Sequence, residues 1–278
     1  FDATGNQQRV LVPTGDRTTY SWNVDNRLTK VALPNATITT NTYLPDGLRA
    51  ERQDSSGIVR FFYDGQNYFT ETDGSNVTQA VYTNEPRLYG NLVSQRRKNG
   101  ATWTPSYPLF GGTQSVDSLV LTDESIIESH MYDAYGNERV AIATRMIPFL
   151  YVGRLGYYYD FDSGIMAIRQ RYFDPLAALW LSVDQRAANQ FGYVWPLTTP
   201  SFGPANHYTS EMYRYAVNNP VNLTDPSGNS PVAIGCAGAC IGVAACLGPG
   251  AIACWDADDF VDCYEYYWSL LPSWHHWL

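Results

Sequence analysis

Residues 151–185 read YVGRLGYYYDFDSGIMAIRQRYFDPLAALWLSVDQ, and beyond a spacer residues 212–228 read MYRYAVNNPVNLTDPSG. Aromatic runs alternate in this stretch with Asp-Pro and Asn-Pro pairs, which are turn starters. The stretch closes on Asp225-Pro226-Ser227-Gly228, and the composition changes abruptly after it. Polar residues 190–207, with Pro196, Pro200 and Pro204, read as an exposed loop insertion between two of its pieces.

Upstream, short strand-like runs are punctuated by turns. Tyr20, Tyr43 and Tyr63 stand 23 and 20 residues apart, a period that suits one hairpin per repeat. Hairpin turns are expected at Asp46-Gly47, Asp64-Gly65 and Gly136-Asn137, where glycine supplies positive φ without a Cβ penalty. A Tyr before each turn is expected to stack on its equivalent in the next repeat. The basic cluster Gln95-Arg96-Arg97-Lys98 precedes Asn99-Gly100 and reads as a solvated hairpin end.

Composition agrees with a β-protein. Of 278 residues, 45% are hydrophobic, enough for a sizeable core. The 21 Tyr and 8 Trp favour pleated, half-buried surfaces, where the ring packs and the polar tip stays wet. A formal net charge of −9 is the wrong sign for displacing counterions from phosphate, so no nucleic-acid partner is expected.

Five pieces, YVGRLGYYYD, IRQRYFDP, WLSVD, YRYAVNNPVN and DPSG, occur in an order that resembles the Rhs-associated core of Rhs and YD-repeat proteins. The Tyr-turn pattern over residues 18–82 resembles the YD repeat itself. The resemblance implies a mostly β fold: antiparallel hairpin repeats over 1–137 forming part of a spiralling β-shell, and an Rhs-associated core plug over 138–228 that closes it. A variable apolar, Cys-containing tail, short and open to a helical reading, would follow over 229–278. It further implies a bacterial, secreted or cell-surface protein, whose export signal and earlier repeats lie upstream of Phe1. Its partners would be those missing repeats and its own tail. Three roles are open: a structural shell acting in encapsulation and cell–cell interaction, a self-cleaving polymorphic-toxin carrier that releases the tail, or a surface adhesin presenting Tyr and Trp to carbohydrate on another cell.

In toxin-associated relatives of this kind two core aspartates are thought to cut the chain just after the closing motif. By motif they fall on Asp184 and Asp225. Such chemistry asks one carboxylate to activate water while the other, kept protonated, donates to the carbonyl. Three departures weaken the match: Val183 stands where the cleaving members carry Arg, Gln185 replaces Pro, and Asn229 replaces Leu before the scissile bond. Turn capping is the plainer role for both aspartates, and self-cleavage after Asn229 is expected to be absent or slow. No cofactor and no metal are expected.

The tail holds all five cysteines, Cys236, Cys240, Cys246, Cys254 and Cys263, without a zinc spacing. Two disulfides with a spare thiol and inert buried thiols both fit. Residues 231–254 are mostly Ala, Gly, Val, Ile and Cys, long enough for a membrane span but broken by Gly248-Pro249-Gly250. Burial within protein and membrane insertion both remain open, with burial favoured; shielding from water is expected either way. His275 and His276 near Asp256, Asp258, Asp259, Asp262 and Glu265 lack a metal-binding spacing and read as a solvated terminus.

Overall fold

The computed structural model describes residues 1–11, 15–142, 145–184 and 212–229, with the backbone of 232–233. The expected loop at 190–207, the scissile bond after Asn229, the cysteines and His275-His276 lie outside the described residues. Thirteen strands form one sheet: β1 (Arg9–Leu11), β2 (Arg17–Trp22), β3 (Leu28–Ala32), β4 (Ile38–Tyr43), β5 (Arg49–Asp54), β6 (Gly57–Asp64), β7 (Asn67–Asp73), β8 (Thr78–Asn84), β9 (Leu92–Asn99), β10 (Thr102–Phe110), β11 (Val116–Leu121), β12 (Ile126–Tyr132) and β13 (Glu138–Ile142). Their order in the sheet is their order in the chain, as expected for hairpin repeats. The sheet runs on past Asn137, to Ile142.

One turn geometry recurs. In Asn23–Arg27, Leu33–Thr37, Leu44–Leu48, Asp73–Val77, Gly111–Ser115, Leu121–Ser125 and Asp133–Asn137, the first N–H donates to the fifth carbonyl and the fourth N–H to the first. The fourth residue is left-handed each time, as at Gly47 (φ 89°) and Gly136 (φ 88°). This is a hairpin turn followed by a bulge, and the register shift appears where it should, for instance between Thr42 and Tyr43. The turns expected at Asp46-Gly47 and Gly136-Asn137 are of this kind. At Asp64-Gly65 the loop is the two-residue Gly65-Gln66, with Asp64 paired to Asn67.

The repeat is held together differently from the expected aromatic stack. Among the described residues no ring contact joins Tyr43 to Tyr63. Instead most repeats end on a side chain that reaches back to the backbone beside the previous turn. Trp22 Nε1 donates to the Gln7 carbonyl (2.8 Å), Tyr43 Oη to that of Leu28 (2.6 Å), and Tyr63 Oη to that of Arg49 (2.9 Å). Asn84 Nδ2 does the same at Tyr68 (2.8 Å) and Tyr132 Oη at Val116 (3.0 Å). The first repeat is therefore marked by Trp22, not Tyr20, because the bulge places residue 22 over the turn. Nor is the basic cluster wholly solvated. Arg97 turns inward to Glu71 at 3.0 Å, and Gln95 is buried against Ser106.

A smaller four-stranded sheet, β14 (Tyr158–Asp160), β15 (Ile165–Ile168), β16 (Arg171–Asp174) and β17 (Leu179–Trp180), packs on the inner face of the wall. Phe149 and Tyr158 insert among Phe61, Tyr68 and Tyr82, with ring centroids 4.9 to 5.6 Å apart in edge-to-face and tilted pairs. A second core of Tyr151, Tyr157, Phe173, Trp180 and Tyr215 lies within the plug. A buried carboxylate ties the two bodies: Asp160 Oδ2 meets Arg49 Nη1 at 2.6 Å, and its Oδ1 meets Arg52 Nη1 at 2.8 Å. Those two arginines, with burial opposing them, hold the Asp160 carboxyl below its usual range. Among the described residues no helix is long and apolar enough to cross a membrane. The tail begins as β19 (Val232–Ala233), paired antiparallel with β18 (Leu223–Thr224).

Candidate functional site

The two predicted aspartates come together on a cation that sequence reasoning did not assign. Arg171 opens β16 and lies 6% exposed beneath the closing turn. Its Nη2 stands 3.3 Å from Asp184 Oδ2 and 3.3 Å from Asp225 Oδ2. Its Nε donates to the Gly228 carbonyl, its Nη1 reaches the Met212 carbonyl at 3.4 Å, and its guanidinium lies over Trp180, 4.0 Å from the ring centroid. Burial lowers its pKa, against the pull of Asp225 and Asp184.

Each part is placed by ordinary local forces. Leu181 N–H donates to the Tyr172 carbonyl, which carries the strand onward to Val183 and Asp184. The chain returns at Tyr213, whose carbonyl accepts from Trp180 N–H at 2.9 Å. That return brings β18 and the Asp-Pro-Ser-Gly turn up to Asp184. Within the turn Asp225 does act as a cap: its Oδ1 accepts from Ser227 Oγ and Asn229 N–H, both at 3.0 Å. Asp225 N–H donates to the Tyr157 hydroxyl at 2.8 Å. Burial and then the Asp225 charge push that phenol well above its usual range. Gly228 is left-handed (φ 75°), and a Cβ there would sit 2.6 Å from the Ile168 carbonyl oxygen. Only glycine lets the turn lie against the β15–β16 hairpin.

Arg169 grips the same turn from the other side. Its Nη1 donates to the Pro226 carbonyl (2.6 Å) and the Leu155 carbonyl (3.0 Å), and its Nε to that of Gln66 (3.0 Å). The IRQR motif is thus a pair of guanidiniums clamping the DPSG motif. The signal was present: arginines at the end of an otherwise apolar strand must find buried acceptors. Val183, at the position of the missing arginine, is 5% exposed and packs against the first turn; a Cβ on Gly5 would lie 2.5 Å from its Cγ2.

Chemically, the arrangement can fix two carboxylates and polarise the Gly228 carbonyl. In this arrangement both carboxylates face one guanidinium. Among the described residues no group of His, Cys, Asp and Glu is arranged to hold a metal ion.

No family model matches this chain. By sequence it is 27% identical over 236 residues to the tRNA3(Ser)-specific nuclease WapA of Bacillus spizizenii. It is 26% identical over 236 residues to the tRNA nuclease WapA of Bacillus subtilis strain 168. Each match takes in 82% of this chain, which spans only 9% of the relative's length. By structure it is similar to TcdB2-TccC3 (TM-score 0.58, 20% identity, 82% of this chain and 11% of that one). It is likewise similar to the Tc holotoxin pore of Photorhabdus luminescens (TM-score 0.58, 20% identity, 84% and 11%). The structural likeness is one of fold: a large antiparallel sheet resembling the TccC shell, not closed into a barrel. Together the two comparisons support the Rhs and YD-repeat resemblance at a coarse level.

Proposed function

We propose that this chain is the plug-bearing end of the β-shell of a secreted or cell-surface Rhs/YD-repeat protein of the toxin type. In this reading it anchors its own C-terminal segment at the Asp225–Gly228 turn and does not cut it. The observation that carries the proposal is the bridging of Asp184, Asp225 and the Gly228 carbonyl by Arg171. A buried three-way contact of this kind is a fastening. Removing one partner of a buried ion pair costs about 3–5 kcal/mol, so the turn resists peeling away.

The self-cleaving toxin carrier is the second reading, favoured by the convergence of both aspartates beside the turn. The WapA relatives bear the name of tRNA nucleases, a property of proteins far longer than this chain. The acidic balance of this chain is the wrong sign for binding phosphate, so we assign any such activity to another segment. The adhesin reading, a surface presenting Tyr and Trp to carbohydrate, draws little on the described residues. Among the described Tyr and Trp residues, Tyr107 alone is exposed.

Intact-mass measurement on the expressed chain separates the first two readings. A single full-length mass is expected, unchanged in Asp225→Asn and Asp184→Asn. Complete separation into two polypeptides near Asn229, abolished by Asp225→Asn, would overturn the anchoring role in favour of the carrier.

A further inference from the structure

The wall ends in a chain of charged groups that the closing turn does not use. His130, on β12, has a fully buried side chain. Its Nδ1 lies 2.6 Å from Glu138 Oε1 on β13, and its Nε2 lies 3.2 Å from Glu128 Oε2. Each glutamate turns its other oxygen to the connector that leads from wall to plug. Glu128 Oε1 accepts the Met146 N–H at 2.6 Å, and Glu138 Oε2 pairs with Arg145 Nη1 at 2.9 Å. On the connector's far side Gln95 Nε2 donates to the Met146 carbonyl at 3.2 Å, and the Arg145 guanidinium lies over the Phe161 ring of the plug.

A neutral imidazole has one N–H and one lone pair, whereas the imidazolium donates from both nitrogens. With a carboxylate at each nitrogen, only the charged ring satisfies both. The neutral ring must point a lone pair at one of them. We propose that His130 is a proton-operated latch on the connector: its charged ring joins Glu128 to Glu138, these hold Met146 and Arg145 in place, and loss of the proton releases the connector.

The surrounding groups agree in sign. Burial works against the charged ring, but hydrogen bonds and charge from Glu128 and Glu138 outweigh it, so the His130 pKa lies above the ordinary 6.5. Tyr132 stacks beside the ring at 6.1 Å, and its own phenol is raised by burial and by Glu138, Asp117 on β11 and Glu128, so it stays neutral. Arg145 is engaged by Glu138. For a group whose folded pKa is raised, the stabilisation is complete below the unfolded pKa and is lost as pH rises through the folded one. The latch therefore opens towards alkaline pH. The Asp160 contacts with Arg49 and Arg52 lie elsewhere, so the plug stays seated while the connector loosens.

Trypsin cutting after Arg145 reads this directly. Wild type and His130→Gln are compared from about pH 6 to about pH 9, the ratio at each pH cancelling the protease's own profile. Wild type is expected to be cut severalfold more slowly than the variant at the acid end, with the two rates converging as pH rises. A ratio that does not change with pH would overturn the latch. So would an NMR titration of the wild-type His130 ring with its midpoint at or below 6.5. Should His130→Gln fail to fold, Glu138→Gln is expected to lower that midpoint, and an unmoved midpoint counts against the proposal.

Discussion

Asp160 turns one oxygen to Arg49 and the other to Arg52, and all three side chains are more than nine-tenths buried. The guanidinium of Arg49 also lies against Phe61 and Tyr158, at 4.6 and 4.9 Å from their ring centroids. Asp160→Asn should therefore destabilise the fold by about 3–5 kcal/mol in urea unfolding, because buried Arg49 loses its counter-charge and Arg52 is left with Asp54. Arg139→Ala, which breaks the exposed pair with Asp133, should cost less than about 1 kcal/mol. Equal effects would mean that Asp160 does not seat the plug. At position 183 the packing sets the outcome. Val183→Arg should destabilise by about 1–3 kcal/mol through overpacking against the Gly5 turn, and the intact mass should stay that of one chain. Cutting restored by Val183→Arg would show that the missing arginine, rather than Arg171, decides cleavage.

The element that repeats is a hairpin whose last side chain is tied to the preceding turn. Tyr63→Phe deletes the donor to the Arg49 carbonyl and should cost about 0.5–1.5 kcal/mol, the net worth of one such bond. The Asp133–Asn137 turn does more, since it also docks the plug: Asn137 Nδ2 donates to the Pro175 carbonyl and Tyr151 Oη to that of Ala134. Gly136 is left-handed, and a Cβ there would fall 2.5 Å from Tyr151 Cγ. Gly136→Ala should lower the melting temperature clearly more than Gly100→Ala, where φ is also positive (61°) but nothing lies within 4 Å. The difference between the two variants isolates the docking contact from the backbone strain they share.

Across the whole molecule, two buried carboxylates and one imidazole set opposite limits on pH. The Asp160 and Glu71 carboxyls are lowered by their arginines despite burial, so their stabilisation is present above the ordinary carboxylate range and is lost on acidification. His130 is raised, so its share is lost on the alkaline side. Urea midpoints should accordingly fall in acid and decline more gently above neutrality, and His130→Gln should remove only the alkaline decline.

The hairpin order, the antiparallel sheet and most of the turns were legible in the chain, because glycine at positive φ and Asp or Asn at a turn are local demands met within five residues. The resemblance singled out Asp184 and Asp225, and the fold brings both within reach of Arg171. Three things were decided only in three dimensions. The aromatic ladder became a set of hydrogen bonds to the preceding turn, since the bulge moves the reaching side chain from Tyr20 to Trp22. The cation between the two aspartates came from Arg171 on β16, not from position 183, because the return of the chain at Tyr213 lays the DPSG turn across the β15–β16 hairpin. The His130 latch joins neighbouring strands to a connector. Burial and partner geometry are non-local, so a residue's role there depends on which distant segment the fold brings to it.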